Sequence, residues 1–210
     1  MTDENNLILN QDELREVSGA TFTSLNLVAL DEFIEKAKAD APELVGLDKD
    51  LVYEALGITR NGNITLMAVL LFCLSPQVYF PDLYIDLEML SFENKMSLET
   101  QIKKTKAEGT IFQMIEGAIG FVKANTPYMI SIDPKTGERQ EISRHSIPKL
   151  RKDIINAFIN RDYSQDGENE PIQMLITDYD VIINYPMSPN DPFPDRNMML
   201  ASAMEILGYR

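Results

Sequence analysis

The chain has 210 residues, room for one large domain or two small ones, and its 44% hydrophobic and 25% charged content is that of a folded protein. Its 33 acidic against 19 basic side chains leave a net charge of -14, which repels phosphate backbones and argues against nucleic acid as a direct partner. A single cysteine, Cys73, excludes an internal disulfide framework and a cysteine-based zinc site. Residues 1–27 are polar and weakly patterned, and read as a connecting arm. A first helix is expected over about residues 30–39, with Phe33, Ile34 and Ala37 on its apolar face and an end before Pro42. A second begins near Asp48, carries Leu51, Val52, Ala55 and Leu56, and stops at Gly57. Arg60-Asn61-Gly62-Asn63 is a turn signal, after which Thr65 caps an apolar helix that ends at Ser75-Pro76. The apolar run 66–74 within it is too short to span a bilayer, and Cys73 there reads as a buried thiol. The start, MTDENNL, lacks the basic segment and apolar core of a signal peptide, so a bacterial-type cytoplasm is the expected setting, with no membrane partner.

Residues 83–92 alternate apolar Leu83, Ile85, Leu87 and Met89 against polar neighbours, the period of a strand with one buried face. The polar stretch 93–108, with Lys103, Lys104 and Lys106, reads as a linker or exposed loop whose lysines are available to an acidic partner. A long helix over 110–125 is built on Ile111, Met114, Ile115, Ala118, Ile119 and Val122. Residues 129–133 and 138–143 flank Pro134-Lys135-Thr136-Gly137 as a hairpin. After a helix over 146–163 come strands at 172–177 and 181–184, a proline-rich loop at 186–194 and a last helix over 197–207 stopped by Gly208. The expected class is α+β, helices packed on one face of an antiparallel or mixed sheet, with an N-terminal arm and connecting α/β region at 1–92 and a second domain at 93–210, or the whole as one compact unit.

The stretch 146–163, SIPKLRKDIINAFINRDY, carries most of the functional information. Ile147, Leu150, Ile154 and Phe158 form an apolar stripe widened by Ile155 and Ile159, while Lys152, Asn156 and Asn160 recur at i, i+4 and i+8 on the other side. The stretch resembles the LREALVNALxHRDY signature of transcriptional regulators related to the C-terminal region of RecG-type helicases. Leu150, Arg151, Asn156, Ala157, Arg161, Asp162 and Tyr163 match it residue for residue, whereas Lys152 stands where that family has Glu and Asn160 where it has His. Residues 63–81 are similar to the family's LTNAALLLFGKNPQRFFP segment, residues 109–125 to its following helix, and Arg196 to Ala201 to its RNPxLA segment. These blocks fall in the family's order over roughly residues 20–210.

The resemblance implies a GHKL ATPase-like core of which residues 146–163 are the N-box. It also implies a Schlafen/Alba-type DNA-binding domain and a winged helix in flanking regions, neither of which has a counterpart here. Binding of ATP and Mg²⁺ would then fall to Asn156, Lys152, Asn160, Arg161 and Asp162. In such a site the N-box Glu polarises water and the Asn four residues on holds Mg²⁺, which requires both on one helical face. Lys152 replaces that Glu, and a protonated lysine is no general base at neutral pH. Asp153 is turned about 100° away. The family's glycine-rich NPGGL turn is replaced by Asn184-Tyr185-Pro186-Met187-Ser188-Pro189, which has no glycine.

Other constellations fail sooner. Asp162, Ser164, Asp166 and Gly167 imitate the start of an EF-hand loop, but its twelfth position is Gln173. His145 is the only histidine, and no Walker A, G-x-S-x-G or G-x-G-x-x-G pattern occurs. The expected function is a non-catalytic regulatory and association core of a bacterial transcriptional regulator, with no catalytic residue, no metal ligand and no cofactor beyond a lapsed ATP site. Its expected partners are a second copy or other domains of the same regulator, with DNA reached only through domains outside this chain. The alternatives are a working GHKL-type nucleotide-binding domain and a structural spacer between DNA-binding domains.

Overall fold

Helix starts fall where a capping side chain precedes an apolar run. Asn26 accepts from the Ala29 N–H at 3.3 Å, and Thr65 accepts from the Ala68 N–H at 3.2 Å. Thr110 and Gln113 close a reciprocal capping box. The computed structural model describes residues 12–92, 100–126, 128–164, 170–177, 179–187 and 196–209. In chain order its elements begin with α1 (Leu27–Asp40), α2 (Lys49–Ala55), β1 (Thr59–Arg60), β2 (Asn63–Ile64) and α3 (Leu66–Phe72). Strands β3 (Ile85–Phe92) and β4 (Thr100–Ala107) follow, then α4 (Ile111–Asn125), β5 (Tyr128–Ile132) and β6 (Arg139–Ser143). The chain closes with α5 (Ile147–Asn160), β7 (Ile172–Thr177), β8 (Val181–Asn184) and α6 (Met198–Ile206). The class is α+β. Among the described residues no helix is long and apolar enough to cross a membrane.

The chain divides into two units. The first comprises Met1–Cys73, Ile159–Gly167 and Met187–Arg210. Its core is α3, all seven residues of which are buried, with Leu30, Phe33, Ile34 and Ala37 of α1 and Leu200, Ala201, Ala203 and Met204 of α6. Phe33 and Phe72 meet at 5.5 Å between ring centroids. Gly57 adopts φ +69°, and a Cβ there would lie 2.8 Å from Leu14 Cδ2, so the turn after α2 needs a residue without one. The hydroxyl of Thr65 donates to the Gly57 carbonyl at 2.6 Å, pinning that turn to the start of α3.

The second unit, Leu74–Phe158 and Glu168–Pro186, is built on a four-stranded sheet in the order β4-β3-β7-β8. β3 and β7 run parallel and the other neighbours antiparallel, so the sheet is mixed. Ile85, Leu87 and Met89 of β3 and Ile172, Met174 and Ile176 of β7 fill its buried face, and α4 lies against β3 and β4. β5 and β6 pair only with each other among the described residues, around a turn in which Gly137 takes φ +70°.

One expectation is corrected here. Within 93–108, residues 100–107 form the edge strand β4, not an exposed connection, and residues 93–99 lie outside the described residues. The polarity belongs to an edge strand, where charge on one face is paired across the sheet. Lys104 meets Glu88 at 2.8 Å, Lys106 stands 3.7 Å from the Tyr84 ring centroid, and Lys103 donates to Asn125 at 3.0 Å. β3 and β4 pair within the second unit.

Candidate functional site

Residues 147–160 form α5, with Pro148 in the first turn and Ser146 Oγ accepting from the Lys149 N–H at 3.4 Å. Leu150, Ile154, Ile155, Ala157, Phe158 and Ile159 are buried. On the opposite face Lys152 and Asp153 are exposed, and Asn156 and Asn160 are half-buried. Arg151 leaves this face for α4, where it forms a two-pronged pair with Glu116, its Nη2 lying 3.1 Å from Oε2. The guanidinium holds the Glu116 carboxyl below its ordinary value.

Beyond the helix the Arg-Asp-Tyr run turns inward. Arg161, Asp162 and Tyr163 are 1%, 6% and 2% exposed. Asp162 meets Arg196 at 3.0 Å and accepts from the Ser164 N–H at 2.8 Å, while Arg196 also reaches Asp12 at 2.8 Å. Asn197 turns its amide back to α5. Its Nδ2 donates to the carbonyls of Ile159 at 2.7 Å and Arg161 at 2.9 Å, and its backbone N–H donates to Ile159 at 3.1 Å. Glu13 takes up the duty Asn197 leaves, its Oε1 accepting from the Met199 N–H at 3.2 Å in the first turn of α6. Burial pushes the Glu13 carboxyl above its ordinary value, against the pull of its own and the Met199 amides. Burial likewise raises the Tyr163 phenol, which stays neutral.

The five residues that the resemblance assigns to ATP and Mg²⁺ therefore fall into two groups. Lys152, Asn156 and Asn160 share the polar face of α5, whereas Arg161 and Asp162 lie inside the first unit in a buried polar cluster. Sequence reasoning missed Asp12 and Glu13, which it placed in an unpatterned arm. The adjacent acid pair, beside the Arg-Asn pair at 196–197, was the available signal. Three surface cavities border α1, α2 and the β1–β2 turn, and no residue of α5 lines them. Among the described residues no cluster of His, Cys, Asp and Glu could hold a metal ion. Ser188 and Pro189 of the glycine-free turn, and Asp166 and Gly167 of the EF-hand-like run, lie outside the described residues.

No family model matches the chain, and no curated protein matches it. Among solved structures it is similar to the DIP2311 protein from Corynebacterium diphtheriae, with 16% identity and a TM-score of 0.57. The match covers 95% of this chain and 40% of that one, so the chain spans less than half the length of its neighbour. At this identity the likeness carries the fold alone, an α+β chain with a mixed sheet.

Proposed function

We propose that the chain is the non-catalytic regulatory and association core of a bacterial transcriptional regulator of the kind its N-box resembles, with an ATP site that has lost its chemistry. The observation that carries this reading is the polar face of α5. An exposed lysine, Lys152, stands one turn before Asn156, where hydrolysis needs a carboxylate. Asp153 is exposed but turned about 100° round the helix from position 152, so it does not occupy the place of that carboxylate. The net charge of -14 supports a reading in which DNA contacts lie in other domains of the regulator, and a cytoplasmic setting is part of the same proposal.

The test is a pair of thermal melts. A ligand at 100 times its dissociation constant would add roughly 2.7 kcal/mol to stability. Curves with millimolar ATP and Mg²⁺ are expected to superimpose on those without, and Lys152→Glu is expected to behave likewise because the glycine turn remains absent. An ATP-dependent shift in the unmodified chain, or phosphate release that Asn156→Ala abolishes, would replace this reading with a working nucleotide-binding domain.

A further inference from the structure

Residues 12–17 are fastened to the first unit mostly by polar contacts. Asp12 reaches Arg196 at 2.8 Å, and Glu13 Oε1 accepts from the Met199 N–H at 3.2 Å. The Val17 N–H donates to the Ile64 carbonyl at 2.8 Å, and the Leu66 N–H to the Arg15 carbonyl at 2.9 Å. The Glu16 carboxylate accepts from the side-chain amides of Asn61 and Asn63, each at 2.8 Å. Val17 is the only buried apolar side chain of the segment, and Leu14 is half-buried. So little apolar surface places these residues at the low-stability end of the fold.

Glu13 is the odd charge in this anchorage. It is 1% exposed, and its Oε2 accepts no hydrogen bond among the described residues. Arg196 is already met by two carboxylates, Asp12 at 2.8 Å and Asp162 at 3.0 Å. Arg161 stands 5.5 Å from the ring centroid of Tyr163, a neutral phenol on which Glu13 also acts. Among the described residues, Asp12 and Asp162 thus balance Arg161 and Arg196. An ionised Glu13 adds one negative charge in excess, away from water. Burial, with Asp12 adding to it, outweighs the amides and Arg196 that favour the charged form. We propose that residues 12–17 form a proton-sensitive latch, closed on the start of α6 while the Glu13 carboxyl is neutral and released as it ionises. Lifting this segment is the smallest movement that brings the carboxylate to water. Release uncaps the first turn of α6 and bares the Ile64 carbonyl and the Leu66 N–H. The latch does not depend on the lapsed ATP site.

Amide hydrogen exchange on the full chain, corrected for the intrinsic effect of pH, tests this in the parent and in Glu13→Gln. Below 4.5 the open and closed forms both hold the proton, and the latch is fully closed. Above it the open form releases its proton first. Protection at Val17, Leu66 and Met199 is therefore expected to fall in the parent by up to about tenfold per pH unit, the slope of one proton. The fall levels off once Glu13 is ionised in the closed form, and Glu13→Gln is expected to give a flat profile. At every pH these amides are expected to be less protected than that of Ile115 in α4. A flat profile in the parent, a slope that survives Glu13→Gln, or protection at Val17 equal to that at Ile115 overturns the latch. Where Glu13→Gln does not fold, the Glu13 carboxyl carbon is titrated by NMR in the parent, and a midpoint at or below 4.5 overturns it.

Discussion

At the scale of single residues, Glu13 and Asn197 each serve a helix other than their own. The last carbonyls of α5 have no partner within the helix, and the Asn197 amide takes that of Ile159 and, just beyond the helix, that of Arg161. Asn197→Ala would remove both side-chain bonds and leave the Ile159 carbonyl with the Asn197 backbone N–H, a loss of roughly 1–2 kcal/mol in denaturant melts. A loss below half a kcal/mol would show that these bonds do not hold the helix end. Glu13 is the titrating member of the cluster. Its carboxyl is raised in the folded state, chiefly by burial, and its other oxygen, Oε2, accepts no hydrogen bond among the described residues. Below the ordinary value of 4.5 both folded and unfolded states carry the proton, so the group adds no pH dependence there. As pH rises from 4.5 towards the raised folded value, the unfolded chain releases its proton first and stability falls. Glu13→Gln removes that slope, so its stability relative to the parent is expected to climb with pH across this window. Parallel melts from pH 4 to 8 that keep a constant difference would mean that Glu13 does not titrate this way.

At the scale of elements, β4 shows how a polar edge strand can pass for a loop. Its lysines are matched across the sheet and by the end of α4, so charge that reads as solvated is engaged within the unit. Helix α4 offers a sharper test of packing. A Cβ at Gly120 would meet nothing within 4 Å, whereas one at Gly117 would lie 3.2 Å from the Ala107 Cβ. Gly120→Ala is therefore expected to stabilise by about 1 kcal/mol through helix propensity alone. Gly117→Ala is expected to gain less, because β4 must give way. Equal gains in urea titrations of the two variants would mean that α4 does not sit this close to β4.

At the scale of the whole molecule, charge decides what the chain can meet. A net charge of -14 with no basic arm or helix predicts no measurable binding of duplex DNA. An electrophoretic shift assay at micromolar protein in about 0.15 M salt checks this, and a competable shift would sink the placement of DNA contacts in other domains. Helix α5 contributes to both units, residues up to Phe158 belonging to the second and those from Ile159 to the first. The stretch that most suggests a nucleotide site is thus also a structural element of each unit.

The sequence alone determined those features whose causes lie within a few residues. The apolar stripe of α5, the cap at Thr65 and the Pro134–Gly137 turn were all legible because period, capping and left-handed turns are local physics. That position 152 is a lysine and not a carboxylate was equally legible. What tertiary structure decided was the use made of polar residues. Asp12 and Arg196 are 184 residues apart in sequence and 2.8 Å apart in space, and no local pattern joins them. Arg161 and Asp162 have the composition of a ligand-binding run, yet burial and the reach of Arg196 turn Asp162 to structural use. A hydrogen bond takes whichever partner folding brings within about 3 Å, so the role of a charged side chain is settled by distant contacts that the order of residues does not display.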